Sequence, residues 1–216
     1  MPMKKFFLSL FLPALFFSAG CSEEEDVLGK QKSNMVSFLE RTHRPQLIPE
    51  EDYEEGSRLP FYTTSGDAVY RYIDQEDYFN PDRDNWPVVT ENSWATITFT
   101  AYVFTNSAIT GLPDGGLNES NFSRVTMPYY SNDPAFITYF RLAGLTLGAW
   151  DFEPLAVDMR DPGIIKGLRL ALLGCREGDR VEAYMTYNMA YGDKTYMYFL
   201  PKETPVAIFF SVDKVE

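Results

Sequence analysis

Ile164-Ile165-Lys166-Gly167-Leu168-Arg169-Leu170-Ala171-Leu172-Leu173-Gly174-Cys175-Arg176-Glu177-Gly178-Asp179 is the stretch on which the fold turns. Its apolar residues recur at helical spacing, so residues 164–175 are expected to form a short amphipathic helix. Gly178, in the turn that follows, is expected to close it, because glycine reaches left-handed geometry without a Cβ penalty. Strands flank this helix, at residues 155–159 before it and at 180–186 and 206–215 after it. Residues 187–198 read as the loop between the last two. The strongest strand lies upstream at residues 95–104, where β-branched and aromatic side chains alternate with Thr and Ala. Residues 60–64 and 68–73 form a further pair around the turn Ser65-Gly66-Asp67. Strands outnumber helices, so the class is α+β, with an antiparallel sheet wrapped on one short helix.

Residues 105–150 are punctuated by Gly, Asn and Pro, with apolar segments at 136–140 and 142–147. A bare loop of that length is improbable, so an insertion with structure of its own is expected. Residues 33–40 offer a two-turn helix with Ser33 as N-cap. Residues 22–33 read as a disordered polar segment. Residues 42–60, with three prolines and the acidic cluster Glu50-Glu51-Asp52-Tyr53-Glu54-Glu55, read as a linker. The expected organisation is an arm over 21–59 and a domain over 60–216.

Acidic residues number 31 against 19 basic ones, a net charge of −12, and a surface of that sign repels phosphates. Nucleic-acid binding is therefore excluded. The chain has one histidine, His43, and two cysteines, Cys21 and Cys175, too few for zinc sites or histidine-dependent triads. His43 opens the linker and reads as a solvated side chain, and Cys175 as a buried small hydrophobe. Asn80-Pro81-Asp82-Arg83-Asp84-Asn85 has calcium-like Asp/Asn spacing, but lacks the glycine and closing Glu of an EF-hand, so it reads as a surface loop.

A basic stretch at residues 1–5 is followed by an apolar run over 6–19, as in a secretory signal. Ser18-Ala19-Gly20-Cys21 resembles the bacterial lipoprotein signal, with Ser18 where the commonest versions carry Leu. The resemblance implies a signal peptide over 1–20, lipidation at Cys21 and a membrane anchor in place of a span. Ser22-Glu23-Glu24-Glu25-Asp26 is an acidic tether, similar to the surface-export signal of lipoproteins from Bacteroidetes-type bacteria. An outer-membrane location, at the cell surface or facing the periplasm, follows. With Cys21 acylated, Cys175 has no disulfide partner.

The opening stretch, together with Met189-Ala190-Tyr191-Gly192, Leu200-Pro201 and Thr204-Pro205 before the closing strand, resembles the FKBP-type peptidyl-prolyl isomerases. Ile97-Thr98-Phe99-Thr100 is similar to that family's strand before its long loop, and the match covers somewhat over a third of the chain. Turning an X–Pro bond crosses about 18–20 kcal/mol. A dry pocket favours the less polar twisted state, and no cofactor or metal is implied. The resemblance makes Tyr191 a hydroxyl donor and the Ile165 backbone N–H a holder of the substrate carbonyl. It makes Phe99, Leu155, Ile164, Leu168, Tyr196 and Ile208 the lining of a site for proline-containing polypeptide clients. Leu168 stands where many members have Trp, and Leu155 and Ile208 stand where they have Phe. The family's Phe-Asp pair has Phe104-Thr105 nearest in register. Trp150-Asp151 stands in only if the insertion folds back.

Three functions are compatible with these residues. One is a lipid-anchored isomerase assisting folding in the envelope. Another is a catalytically inactive module of the same fold that binds clients as a chaperone or surface factor. The third is a glycan-uptake accessory in which Tyr129, Tyr130 and Trp150 face sugar rings.

Overall fold

Alternation along residues 94–103 puts Ala95, Ile97 and Ala101 on one face and Tyr102 on the other, all buried, so this strand must be covered on both sides. The computed structural model describes residues 19–193 and 200–216. Its strands are β1 (Ile48–Pro49), β2 (Pro60–Thr64), β3 (Val69–Ile73), β4 (Trp94–Val103), β5 (Tyr130–Ser131), β6 (Leu155–Asp158), β7 (Arg180–Met185) and β8 (Val206–Val215). Helices are α1 (Ala19–Ser37), α2 (Gln75–Tyr78), α3 (Ile137–Leu142) and α4 (Lys166–Leu172). The sheet order is β1-β2-β3-β7-β8-β4-β5, with β6 also on β4. Only β1 and β2 run parallel among these pairs. The class is α+β with a mostly antiparallel sheet.

One face of the sheet packs on α4. Leu168, Ala171 and Leu172 meet Val181, Ala183, Met185, Val206, Ile208 and Phe210 in one core with Cys175. Each fully buried leucine contributes about 1.5–3 kcal/mol, so this contact fixes the helix on the sheet. The helix is shorter than its apolar pattern. Ile164 and Ile165 precede it, and Gly174 (φ +81°) follows its C-cap, while Gly178 (φ +92°) belongs to the next turn. Arg71 of β3 secures that end, donating from Nη1 to the Ala171 and Leu173 carbonyls at 3.0 and 2.6 Å. Cys175 is buried, and burial pushes its thiol up to about 11, so it packs as a small hydrophobe.

The other face is covered by the N-terminal segment, which is neither disordered nor a linker. Residues 19–37 form the continuous helix α1, followed by a π-helical turn over Phe38–Thr42. Met35, Phe38, Leu39 and Leu47 pack on Phe61, Tyr70, Tyr72, Tyr184 and Ala207. Phe104 joins this second core against Phe38 and Tyr184, which removes Phe104-Thr105 as a counterpart of the family's acid-bearing pair. Gln31 of α1 reaches the sheet loops, accepting from Tyr187 N and donating to the Glu203 carbonyl, both at 2.9 Å.

His43 is not solvated. It is 5% exposed, with Nδ1 2.5 Å from the Pro45 carbonyl and Nε2 2.8 Å from a Glu182 carboxylate oxygen that also accepts from Tyr184 OH. Two acceptors on two ring nitrogens match the imidazolium, since a neutral ring donates only once. Burial opposes the charge, and Arg44 does so weakly. The hydrogen bond and charge of Glu182, with the Pro45 carbonyl, outweigh them and raise the His43 pKa above 6.5. Tyr72 packs edge-on to the ring. A raised folded-state pKa means that this stabilisation is complete below pH 6.5 and is lost as pH rises through the folded value. Urea unfolding followed upward from pH 6 should therefore show falling stability. In His43→Gln the slope between about pH 6 and 8 should vanish, because His43 is the sole histidine and the raised Cys175 thiol acts only at higher pH. An equal slope in the variant would contradict the assignment.

Candidate functional site

The edge of β4 away from β8 is shared. β6 pairs with its first half, from Trp94↔Asp158 to Ile97↔Leu155, and β5 with its second, at Thr100↔Ser131 and Ala101↔Tyr130. Where the two partners diverge, Asn132 closes the gap. Its Oδ1 accepts from Phe99 N at 2.6 Å, and its Nδ2 donates to the carbonyls of Ile97 (3.1 Å) and Glu153 (3.0 Å). Asn132 is 2% exposed, and these bonds satisfy backbone groups that the divergence leaves without strand partners.

A cavity of about 380 Å³ opens at this junction, lined by Phe99, Tyr129, Tyr130, Asn132, Asp151, Glu153, Pro154, Leu155, Ala156 and Tyr191. The Tyr191 hydroxyl lies 3.2 Å from the Tyr129 hydroxyl, with the two rings edge to face. Tyr130 stacks on Phe99 (centroids 5.5 Å, 26°) and on Trp150 (5.3 Å, 17°). The insertion thus folds back onto the site, bringing Asp151 to its wall. Phe136, Tyr139 and Phe140 form the insertion's own small core with Val125, which holds that return path.

Of the residues that sequence singled out, Phe99, Leu155 and Tyr191 meet on this one wall. Ile164 and Ile165 are half-buried against the α4 core just ahead of the helix and do not line the cavity. The Ile165 N–H has no acceptor among the described residues. Leu168 and Ile208, 4% and 2% exposed, lie in the core beneath the sheet and are not lining residues. Their aliphatic character therefore fills the core and does not shape this wall. Tyr196 lies outside the described residues, as does the expected signal peptide up to residue 18. Cys21 falls in the first turns of α1.

No family model matches the chain, and no curated protein does. The cavity lining supplies aromatic and aliphatic surface, two phenol hydroxyls within reach of one another, and two exposed carboxylates. No thiol, imidazole or amine stands among these lining residues. Among the described residues, no three His, Cys, Asp or Glu side chains converge as metal ligands, and no helix is long and apolar enough to cross a membrane. Such a wall offers a ligand apolar contact, hydrogen bonds and negative charge.

Tyr129, Tyr130 and Trp150 do not form the exposed coplanar platform that a sugar site requires. Tyr129 is 7% exposed, and Tyr130 stacks on two neighbouring rings. Sequence reasoning placed Asp151 here only on the condition that the insertion folds back, and it did not place Tyr129, Asn132 or Glu153. Nothing local distinguishes Asn132 from other loop polar residues, since its partners lie 33 and 35 positions upstream.

Proposed function

We propose that the protein is an FKBP-type peptidyl-prolyl isomerase, anchored by lipid at Cys21 to the outer membrane of a bacterial envelope, acting on proline-containing polypeptides. The observation that carries this reading is the meeting of Phe99, Leu155 and Tyr191, far apart in sequence, on one apolar wall beside Tyr129. The chain order helix, turn, strand, tyrosine loop and closing strand supports it as well.

Isomerisation needs only what this wall offers. Apolar rings exclude water, and the amide loses charge separation as it twists, so a dry site favours the transition state over the planar ground state. The Tyr191 hydroxyl is a donor for a carbonyl beside the turning bond, while the Ile165 N–H, to which the resemblance gives a like role, stands outside this lining. Tyr191→Phe removes one such donor and is expected to lower catalysed X–Pro exchange about three- to tenfold, the worth of one hydrogen bond. Unchanged exchange in the variant would remove Tyr191 from the mechanism.

A second reading keeps the binding and drops the catalysis. It is favoured by the burial of Leu168 and Ile208, which leaves the cavity without two of the side chains that the resemblance assigns to it. Peptide binding without exchange would select it.

A further inference from the structure

The cavity carries charge of one sign. Asp151 and Glu153 are its only ionisable acids or bases apart from the tyrosines, and both are exposed. Among the described residues neither forms an ion pair. Their positions are built. Asp151 follows Trp150, whose ring stacks on Tyr130, and Asp151 Oδ1 accepts from Glu153 N at 3.1 Å. The Glu153 carbonyl is in turn tied to the buried Asn132 amide. The Asp151 carboxylate and the Glu153 backbone are thus tied to the same junction that carries Phe99 and Leu155.

We propose that this cavity selects prolyl segments that carry a lysine or arginine next to the proline, with Asp151 and Glu153 as the specificity-determining residues. The inference rests on the isomerase reading and adds its substrate class. A cationic neighbour finds two exposed carboxylates beside an apolar wall, each pairing worth up to about 1 kcal/mol. An acidic neighbour meets the same pair as repulsion, and specificity is the difference between the two. The chain's net charge of −12 adds a long-range attraction for basic clients.

The test uses the chain from Ser22 onward and three peptides, Ala-Lys-Pro-Ala, Ala-Ala-Pro-Ala and Ala-Glu-Pro-Ala, titrated by NMR. A second set places the charged residue after the proline. The lysine peptide of at least one set should bind about three- to tenfold more tightly than its glutamate counterpart at low salt, as expected for exposed charge pairs. High salt should shrink that ratio. In the double variant Asp151→Asn, Glu153→Gln the ratio should fall to about one. Equal binding of lysine and glutamate peptides, with the alanine peptide still bound and its exchange still catalysed, would overturn the inference and leave the isomerase reading intact. A ratio that survives in the double variant would overturn the assignment to these two residues. If no peptide binds, both this inference and the reading beneath it fail.

Discussion

Asp179→Ala is expected to destabilise the protein by about 3 kcal/mol, the scale of stripping the partner from a buried charge after a discount for Arg83's partial exposure. Asp179 is fully buried and receives Arg83 in a two-pronged bond, Nε to Oδ1 and Nη2 to Oδ2, both 2.8 Å. The same carboxylate accepts from Arg176 N at 2.8 Å. Removing it leaves a guanidinium only 17% exposed and a backbone N–H without their acceptor. The damage is central, because the turn holding Asp179 connects α4 to β7 and is tied to β8 through Gly178 N to the Val212 carbonyl at 2.7 Å. Asp179→Asn keeps the shape and one acceptor oxygen, so it should cost clearly less. Urea unfolding monitored by circular dichroism checks both, and a loss under about 1 kcal/mol for the alanine variant would show that Arg83 finds another partner.

Gly167→Ala is the second large effect, and it joins stability to the site. Gly167 lies in the first turn of α4, where an added Cβ would stand 2.4 Å from Met185 Sδ and 2.8 Å from the Met189 carbonyl. A methionine tip can swing aside, but the Met189 oxygen is backbone, so either the helix or the loop must move. Overpacking of this kind costs about 1–3 kcal/mol. The displaced loop runs directly into Ala190 and Tyr191, and the displaced helix start carries Ile164 and Ile165. The variant should therefore lose more peptide affinity than the folded fraction accounts for. Wild-type affinity in a destabilised variant would separate the helix start from the site.

Much of the sheet was legible because burial on its faces imposes period-two alternation. β4, β7, β8 and the strand at residues 68–73 follow from it, and the α4 face follows from helical spacing. The N-terminal cover was not legible for an equally physical reason. Residues 22–33 have almost no apolar periodicity, and Gln31, which anchors that helix, works through hydrogen bonds to residues 156 and 172 positions away. His43 was misread in the same way, since Glu182, the partner that makes its burial tolerable, is 139 positions downstream. In the site, Phe99, Leu155 and Tyr191 were reached through the family resemblance of the short motifs that hold them, and periodicity alone assigns none of them to a cavity. Tyr129 and Asn132 arrive from the insertion, where a two-residue strand and side-chain hydrogen bonds determine the geometry and leave no periodic trace.

The most direct test of the central claim is NMR exchange spectroscopy of Ala-Ala-Pro-Ala with the chain from Ser22 onward, read together with shifts in the protein's own spectrum. Uncatalysed X–Pro exchange takes tens to hundreds of seconds. The isomerase reading predicts cis–trans cross-peaks on a far shorter time at substoichiometric protein, with perturbed signals at Phe99, Leu155 and Tyr191. Exchange at the buffer rate from a folded protein, with those signals unmoved, would contradict it.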